Sequence, residues 1–281
     1  MNFTWEQNTK KYEKSKYGIY FGILKKFLKK KLFKRNEIVR NEVFVTREYS
    51  KRWADKHDAM VEAHPRLEKF DDRLVLVRSI DHRKFLISYI NDVVNSIQPK
   101  TVLEVGSGNG LNVLALAVVN PKLKKIVGIE LTDNGIEFSK LSLANPPIEA
   151  LKYLTGQDEQ IIKKRLMETE IDFVKGNILN MQFTNNSFDF AFSCVAIEQI
   201  PRDYLKAFSE INRVVRGHAL FLEAFKEAQE NIFNHLYLVS KDYFRASFKE
   251  VEKAGLQILE LKPLRLRKLK FRTAGLLCKT S

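Results

Sequence analysis

Thr101-Val-Leu-Glu-Val-Gly-Ser-Gly-Asn-Gly110, running into Leu111-Asn-Val-Leu-Ala-Leu-Ala117, decides how this chain is read. A short apolar strand ends in glycines at alternate positions, Gly106, Gly108 and Gly110, and an apolar helical run begins at once. Glycines there let the backbone turn sharply and come close to a ligand, and the following helix N-terminus offers unpaired N–H groups. About twenty residues on, Lys125-Ile-Val-Gly-Ile-Glu130 predicts a second strand that ends in an acid, followed by Leu131. An acid at that place can accept hydrogen bonds from a ribose diol.

Dinucleotides and S-adenosylmethionine both use such an arrangement, and two details separate them. Pyrophosphate turns space their glycines G-x-G-x-x-G, whereas this chain has G-x-G-x-G and carries Glu104 inside the strand. A carboxylate there repels a pyrophosphate but can hold a cationic ligand or order the loop amides. The stretch resembles the first motif of class I S-adenosylmethionine-dependent methyltransferases. That resemblance implies that Glu104, Gly106, Ser107, Gly108 and Gly110 lie against the methionine part of the cofactor, and that Glu130 and Leu131 lie at the ribose.

The resemblance runs in order over residues 101–224 and more loosely to the C-terminus. Ile171-Asp-Phe-Val-Lys-Gly176-Asn177-Ile178 looks like the family's third strand and turn, implying adenine contacts for Asn177 and Ile178, with asparagine where aspartate is usual. Ser187-Phe-Asp-Phe-Ala-Phe-Ser-Cys194 resembles strand four, placing Cys194 at the cofactor, and Val195-Ala-Ile-Glu-Gln-Ile-Pro201 follows at the substrate mouth. Glu210–Val215 and Gly217–Glu223 resemble the next helix and strand. Near the C-terminus, Leu256–Leu261 and Phe271–Cys278 read as two strands after a helix from Phe244 to Ala254 closed by Gly255. The implied fold is α/β: a Rossmann-like, seven-stranded, mostly parallel sheet with an antiparallel C-terminal hairpin, helices on both faces and a helical N-terminal extension. The expected division is an extension over residues 1–70 and a methyltransferase domain over 71–281.

Composition fits that reading. The chain has 281 residues, 44% of them hydrophobic, enough for one α/β domain with an extension. Only two cysteines occur, Cys194 and Cys278, both in expected strands, which argues for reduced thiols and a cytoplasmic setting. The N-terminus shows no signal-peptide pattern, and no apolar run approaches the roughly 18 residues that span a bilayer. The five histidines show no metal-ligand spacing, and no Gly-x-Ser-x-Gly turn supports a hydrolase.

Charge is uneven. The net +14 divides into +9 over residues 1–58, +7 over residues 262–281 and −2 between them. The sharpest element is Tyr17-Gly-Ile-Tyr-Phe-Gly-Ile-Leu-Lys-Lys-Phe-Leu-Lys-Lys-Lys-Leu-Phe-Lys-Arg35, where Tyr20, Leu24, Phe27, Leu28 and Leu32 recur at helical spacing among lysines. Three readings are open: a membrane-interface helix on an anionic surface, with the protein peripheral at the membrane; a helix packed on the protein's own body; and phosphate contact with nucleic acid. Between Asn145-Pro-Pro147 and Thr169 a polar, largely helical insertion is expected at the outer sheet edge. Leu74 to Val94 reads as one helix leading into the first strand, ending near Gln98-Pro99.

Tyr49 and Trp53, four residues apart in Tyr49-Ser-Lys-Arg-Trp53, resemble the aromatic segment that covers cofactor and substrate in small-molecule methyltransferases. Methyl transfer is an in-line displacement that depends mainly on alignment, and a base helps only when the acceptor must lose a proton. Candidates at the expected mouth are Glu198, Gln199 and His235, with Tyr237 beyond and Glu223 as a substrate contact; many relatives have histidine where Gln199 stands. The expected activity is methyl transfer from S-adenosylmethionine to an oxygen or nitrogen of a small, glycan-like or lipid-linked acceptor. A non-catalytic cofactor-binding protein and a nucleic-acid methyltransferase are the alternatives. The motif used on exocyclic base amines is missing after Cys194.

Overall fold

A computed structural model describes residues 4–5, 9–32, 40–54, 65–200, 202–243 and 246–281. The chain begins with a two-residue strand, β1 (Thr4–Trp5), and two helices, α1 (Thr9–Leu32) and α2 (Glu42–Ala54). A hairpin follows, β2 (Arg66–Phe70) and β3 (Arg73–Val77), and then α3 (Ser79–Ile97). The central repeat is β4 (Thr101–Val105), α4 (Leu111–Val119), β5 (Lys125–Glu130) and α5 (Asp133–Ala144). Next come α6 (Ile148–Thr155), α7 (Glu159–Glu168), β6 (Glu170–Lys175), β7 (Phe188–Cys194), α8 (Tyr204–Val214) and β8 (Val215–Glu223). The chain closes with α9 (Ile232–Ser240), α10 (Phe248–Lys253), β9 (Gln257–Pro263), β10 (Leu266–Lys268) and β11 (Ala274–Lys279).

The main sheet has seven strands in the order β6-β5-β4-β7-β8-β11-β9, with β11 antiparallel to both neighbours. Its central strands are almost wholly apolar because helices cover both faces. Alternate residues divide between two cores. Val102, Ile126, Phe190 and Leu220 pack with α3 and α4, while Leu103, Val127, Ala191 and Phe221 pack with α8 and α10. This is the expected Rossmann-like sheet, hairpin included. The strand order reverses at β4, which lies between β5 and β7, and a crevice at the strands' C-terminal ends follows from that switch.

A second sheet, β1-β3-β2-β10, is antiparallel throughout and escaped the sequence reading. Leu74–Val77 does not begin a helix. Its alternating half-buried and buried positions are those of a strand, and Asp71, at φ 50°, turns the hairpin. Arg265 holds Asp71 with two charge-assisted hydrogen bonds of 3.0 and 2.6 Å. Helix α3 begins only where the Arg78 N–H reaches the Asp81 carboxylate, 3.0 Å away, in a capping box. Residue 70, the expected end of the extension, sits at the tip of this hairpin.

The insertion is helical and leads into the outer strand β6, and its Leu151, Leu154, Ile162 and Leu166 are buried in the same core as α3 and α4. One further expectation changes. The C-terminal helix is shorter than expected; α10 begins after Ser247, whose side chain and Glu250 form a capping box, and Gly255 closes it at φ 85°. The basic helix α1 packs on α9, with Ile23 buried and Tyr20 stacked on Phe233 at 4.5 Å. Residues 33–35 of the basic stretch lie outside the described residues.

Candidate functional site

The crevice at the C-terminal ends of β4, β5 and β7 opens into a cavity of about 840 Å³. Gly106, Ser107 and Gly108 form part of its floor. Gly106 has φ 77°, and a Cβ there would lie 2.6 Å from the Ala196 Cβ. The loop after β7 therefore crosses the glycine turn at a distance only glycine permits. Gly108 has φ 56°, and a Cβ would lie 2.8 Å from the Trp53 ring. Gly110 does not line the cavity; it faces Phe173 and Ser139, so its role is close packing of α4.

Glu130 closes the cavity at the end of β5. Its carboxylate accepts the Gly108 N–H at 3.1 Å, the Thr132 N–H at 3.0 Å and the Thr132 hydroxyl at 2.7 Å. It thus ties the end of β5 to the glycine loop while still lining the cavity with Leu131. Asn177 and Ile178 line the next section, and Asn177 Nδ2 donates to Glu42 on α2 at 2.9 Å. Glu104 does not reach the cavity wall. It is buried behind Asn112, whose Nδ2 donates to Glu104 Oε1 at 2.6 Å. Burial pushes Glu104 up to about 8, against the nearby Asn112 amide and Arg83. Arg83, itself on the cavity wall, donates to Asn112 Oδ1 at 2.8 Å and continues that network.

Helix α2 roofs this groove. Asn134 Nδ2 donates to the Ser50 carbonyl at 2.8 Å, and the Glu42–Asn177 bond holds the other end. Tyr49 and Trp53 face inward from one side of the helix, 6.2 Å apart, with Trp53 edge-on to Phe138 at 6.5 Å. Trp53 Nε1, Ser107 Oγ and Asn109 Nδ2 are buried without a hydrogen-bond partner among the described residues. Buried polar atoms are rarely left so. Their clustering under the roof, beside an acid at the end of β5, fits a nucleoside-bearing ligand such as S-adenosylmethionine.

The cavity wall that follows β7 is built around Glu198. Val195 sits at φ 57°, a conformation that costs a β-branched residue about 1–3 kcal/mol. It turns Ala196–Gln199 back over the glycine loop. Glu223 holds that turn rather than lining the cavity: it accepts the N–H groups of Ala196 at 3.0 Å, Ile197 at 3.1 Å and Glu198 at 3.1 Å. Its own carboxyl is nevertheless pushed up to about 7 by burial.

Glu198 is only 2% exposed, yet it lines the cavity, and its Oε2 has no partner among the described residues. Burial pushes it up to about 8, with Lys268 the largest opposing charge. Its Oε1 accepts from Gln199 Nε2 at 3.0 Å, and Gln199 Oε1 accepts in turn from the buried guanidinium of Arg40. Gln199 is therefore a positioning residue between Arg40 and Glu198. His235 is not on the cavity wall; α9 presents Tyr237 there instead. Cys194 lines the cavity, but burial and two neighbouring carboxylates push its thiol up to about 12, so it stays protonated.

Sequence reasoning missed Arg40, Arg83, Tyr243, Lys268 and the His82–Glu68 pair, all on the cavity wall. His82 Nδ1 and Glu68 Oε2 are 2.6 Å apart. The signal for Arg83 was available, as a cation inside an otherwise apolar-periodic helix. No local pattern announces Lys268, because only the pairing of β10 with β2 brings it opposite Glu68.

Comparison with known proteins agrees with this geometry. Residues 103–222 match the family model described as a methyltransferase domain. A curated demethylmenaquinone methyltransferase of Bacillus cereus is 22% identical over 232 residues, covering 71% of this chain and 89% of that protein. Among solved structures, magnesium protoporphyrin IX methyltransferase from Synechocystis with bound SAH shares the fold at TM-score 0.57 and 8% identity, covering 86% of this chain and 100% of that one. The [4+2]-cyclase SpnF shares it at TM-score 0.60 and 13% identity, covering 87% of this chain and 97% of that one. With the domain match lying on the strands and loops that build the cavity, residues 103–222 form a methyltransferase domain of the class I, S-adenosylmethionine-dependent kind.

Proposed function

We propose that the enzyme methylates an oxygen or nitrogen of a small, ring-bearing, lipid-linked acceptor, with Glu198 taking the acceptor's proton. The observation that carries this reading is the buried carboxyl of Glu198, a residue of the cavity wall, one oxygen of which has no partner among the described residues. A carboxylate raised to about 8 is a far stronger base than an ordinary glutamate.

The walls around it support the acceptor class. Tyr237 stacks on Phe271 at 5.8 Å with 7° between the ring planes, and Tyr243 meets both, at 6.2 and 6.1 Å. Flat aromatic walls suit a planar ring or the apolar face of a sugar. Lys268 lies 4.9 Å over Phe271 and Lys270 6.0 Å over Tyr237, so an acceptor carrying negative charge is favoured. The curated relatives are named for action on demethylmenaquinone, which supports a small-molecule acceptor.

When bound, S-adenosylmethionine supplies an electrophilic methyl group on a sulfonium. The protein's part is alignment and proton removal. Glu130, Asn177 and the α2 roof fix the cofactor side, and the Tyr237–Tyr243–Phe271 wall fixes the acceptor. Held against that wall, the acceptor's oxygen or nitrogen would be lined up with the methyl group, and the carbon–sulfur bond would break as the new bond forms. The acceptor's proton passes to the Glu198 carboxylate, held by Gln199. Tyr49 and Tyr237, both pushed up by burial, remain protonated and offer hydrogen bonds in the chamber.

The test is an acceptor screen with isotopically labelled methyl donor over phenolic, quinol and saccharide compounds, with and without lipid tails. Label transfer by wild type that Glu198→Gln loses supports the reading. Equal transfer by both proteins contradicts the proton role of Glu198.

A further inference from the structure

Helix α1 carries more apolar surface than its packing on α9 uses. At about 100° per residue, Ile19, Tyr20, Ile23 and Phe27 share one sector, and that sector faces the protein: Ile23 is buried and Ile19 reaches the cavity wall. The adjoining sector holds Tyr17, Phe21, Leu24 and Leu28, spaced four, three and four apart. These are 72, 69, 37 and 42% exposed. Lys25 and Lys29 border the stripe on its far side, both exposed, and Lys26 follows. Ile232, the chain neighbour of the Phe233 that stacks on Tyr20, is itself 65% exposed.

We propose that this outer stripe seats the enzyme on an anionic bilayer, with the four apolar side chains in the interface and the lysines on headgroup phosphates. The inner sector of the same helix would then roof the cavity directly above the membrane. The argument is charge and shape together. Four contiguous apolar side chains beside a row of cations match a lipid interface, where both find partners. A nucleic-acid backbone would engage the lysines and leave the stripe in water. Among the described residues no helix is long and apolar enough to cross a membrane. The membrane seat stands on α1 alone; delivery of a lipid-linked acceptor through it rests on the functional reading above.

The experiment is flotation of the full-length protein with vesicles of phosphatidylcholine alone and of phosphatidylcholine with about 30 mol% phosphatidylglycerol, which gives a strong negative surface charge. A double variant, Phe21→Asp with Leu24→Asp, is run in parallel, and Phe21→Trp reports insertion by its emission. The proposal predicts binding to anionic vesicles, at least tenfold weaker for the double variant, and a blue shift of the Phe21→Trp emission. Binding of S-adenosylhomocysteine by the double variant at wild-type strength establishes that it is folded. Absence of wild-type flotation, equal flotation of the double variant, or tighter binding to a duplex oligonucleotide than to vesicles overturns the proposal. Flotation without any acceptor methylated would leave the membrane seat standing and count against the acceptor reading instead.

Discussion

Gln199 donates from Nε2 to Oε1 of Glu198 at 3.0 Å, so the residue next in the chain to the proposed base is also its hydrogen-bond partner. Glutamine cannot take a proton, but here it links the base to the buried cation Arg40, which donates to Gln199 Oε1. The amide bond favours the charged form of Glu198, against the burial that opposes it.

The first prediction concerns pH. A base raised to about 8 is mostly protonated at neutral pH, so kcat/KM for the acceptor rises with pH and levels off above about 8. Glu198→Gln lowers kcat by about 10²–10⁴-fold and flattens that limb. Gln199→Leu removes the amide donor and moves the limb to higher pH, a shift that a purely structural residue would not produce. Steady-state rates across pH 6–10, a range of about four units chosen to bracket the limb, check all three proteins.

The second concerns the strut behind the base. Glu223 receives three backbone N–H groups from Ala196–Glu198. Glu223→Gln keeps one acceptor but turns an NH₂ toward one of those donors, costing about 1–3 kcal/mol. Both Tm and kcat fall, while S-adenosylmethionine affinity changes little. Calorimetric melting and a cofactor titration on the same sample separate the effects.

The third prediction links stability to pH. Glu104 is raised to about 8 in the folded protein, against an ordinary carboxyl in the unfolded chain. Between about pH 4.5 and pH 8 the unfolded state has released this proton while the fold retains it, so the group's contribution to stability falls as pH rises. Glu104→Gln retains an acceptor for Asn112 and cannot ionise. Its Tm relative to wild type is therefore higher at pH 8 than at pH 5, values taken at about the two ends of the titration window.

The fourth concerns the roof. Trp53 lies over Gly108, and its Nε1 has no partner among the described residues. Cofactor binding changes the intrinsic fluorescence of wild type, and Trp53→Phe abolishes that change. Gly108→Ala forces a Cβ into the Trp53 ring and weakens cofactor binding by at least about tenfold, or roughly 1.4 kcal/mol.

Much of this was legible in the sequence because the central sheet is encoded locally. Apolar runs ending in glycine or an acid, at regular spacing, specify β4, β5, β6 and β7 and the loops after them. The positions of Gly106, Glu130, Asn177 and Glu198 on one cavity follow from that order. The small sheet was not legible, because β2 and β3 alternate weakly and β10 is three residues long, paired across about two hundred residues of chain. Arg40 is set by Asp242 and Gln199, both distant in sequence. His235 looked well placed by its position after β8, but one residue's rotation on α9 decides which side chain faces inward, and that rotation is fixed by packing on α1 and Phe271.

The central claim is that the glycine turn and Glu130 hold the cofactor in the crevice beneath α2. Calorimetric titration of wild type and Glu130→Ala with S-adenosylmethionine and S-adenosylhomocysteine tests it most directly. One saturable site in wild type for both compounds, weakened at least about a hundredfold, or roughly 2.7 kcal/mol, in a folded Glu130→Ala protein, is the predicted result. A folded wild-type protein that binds neither compound, or a variant that binds both as tightly as wild type, would contradict it.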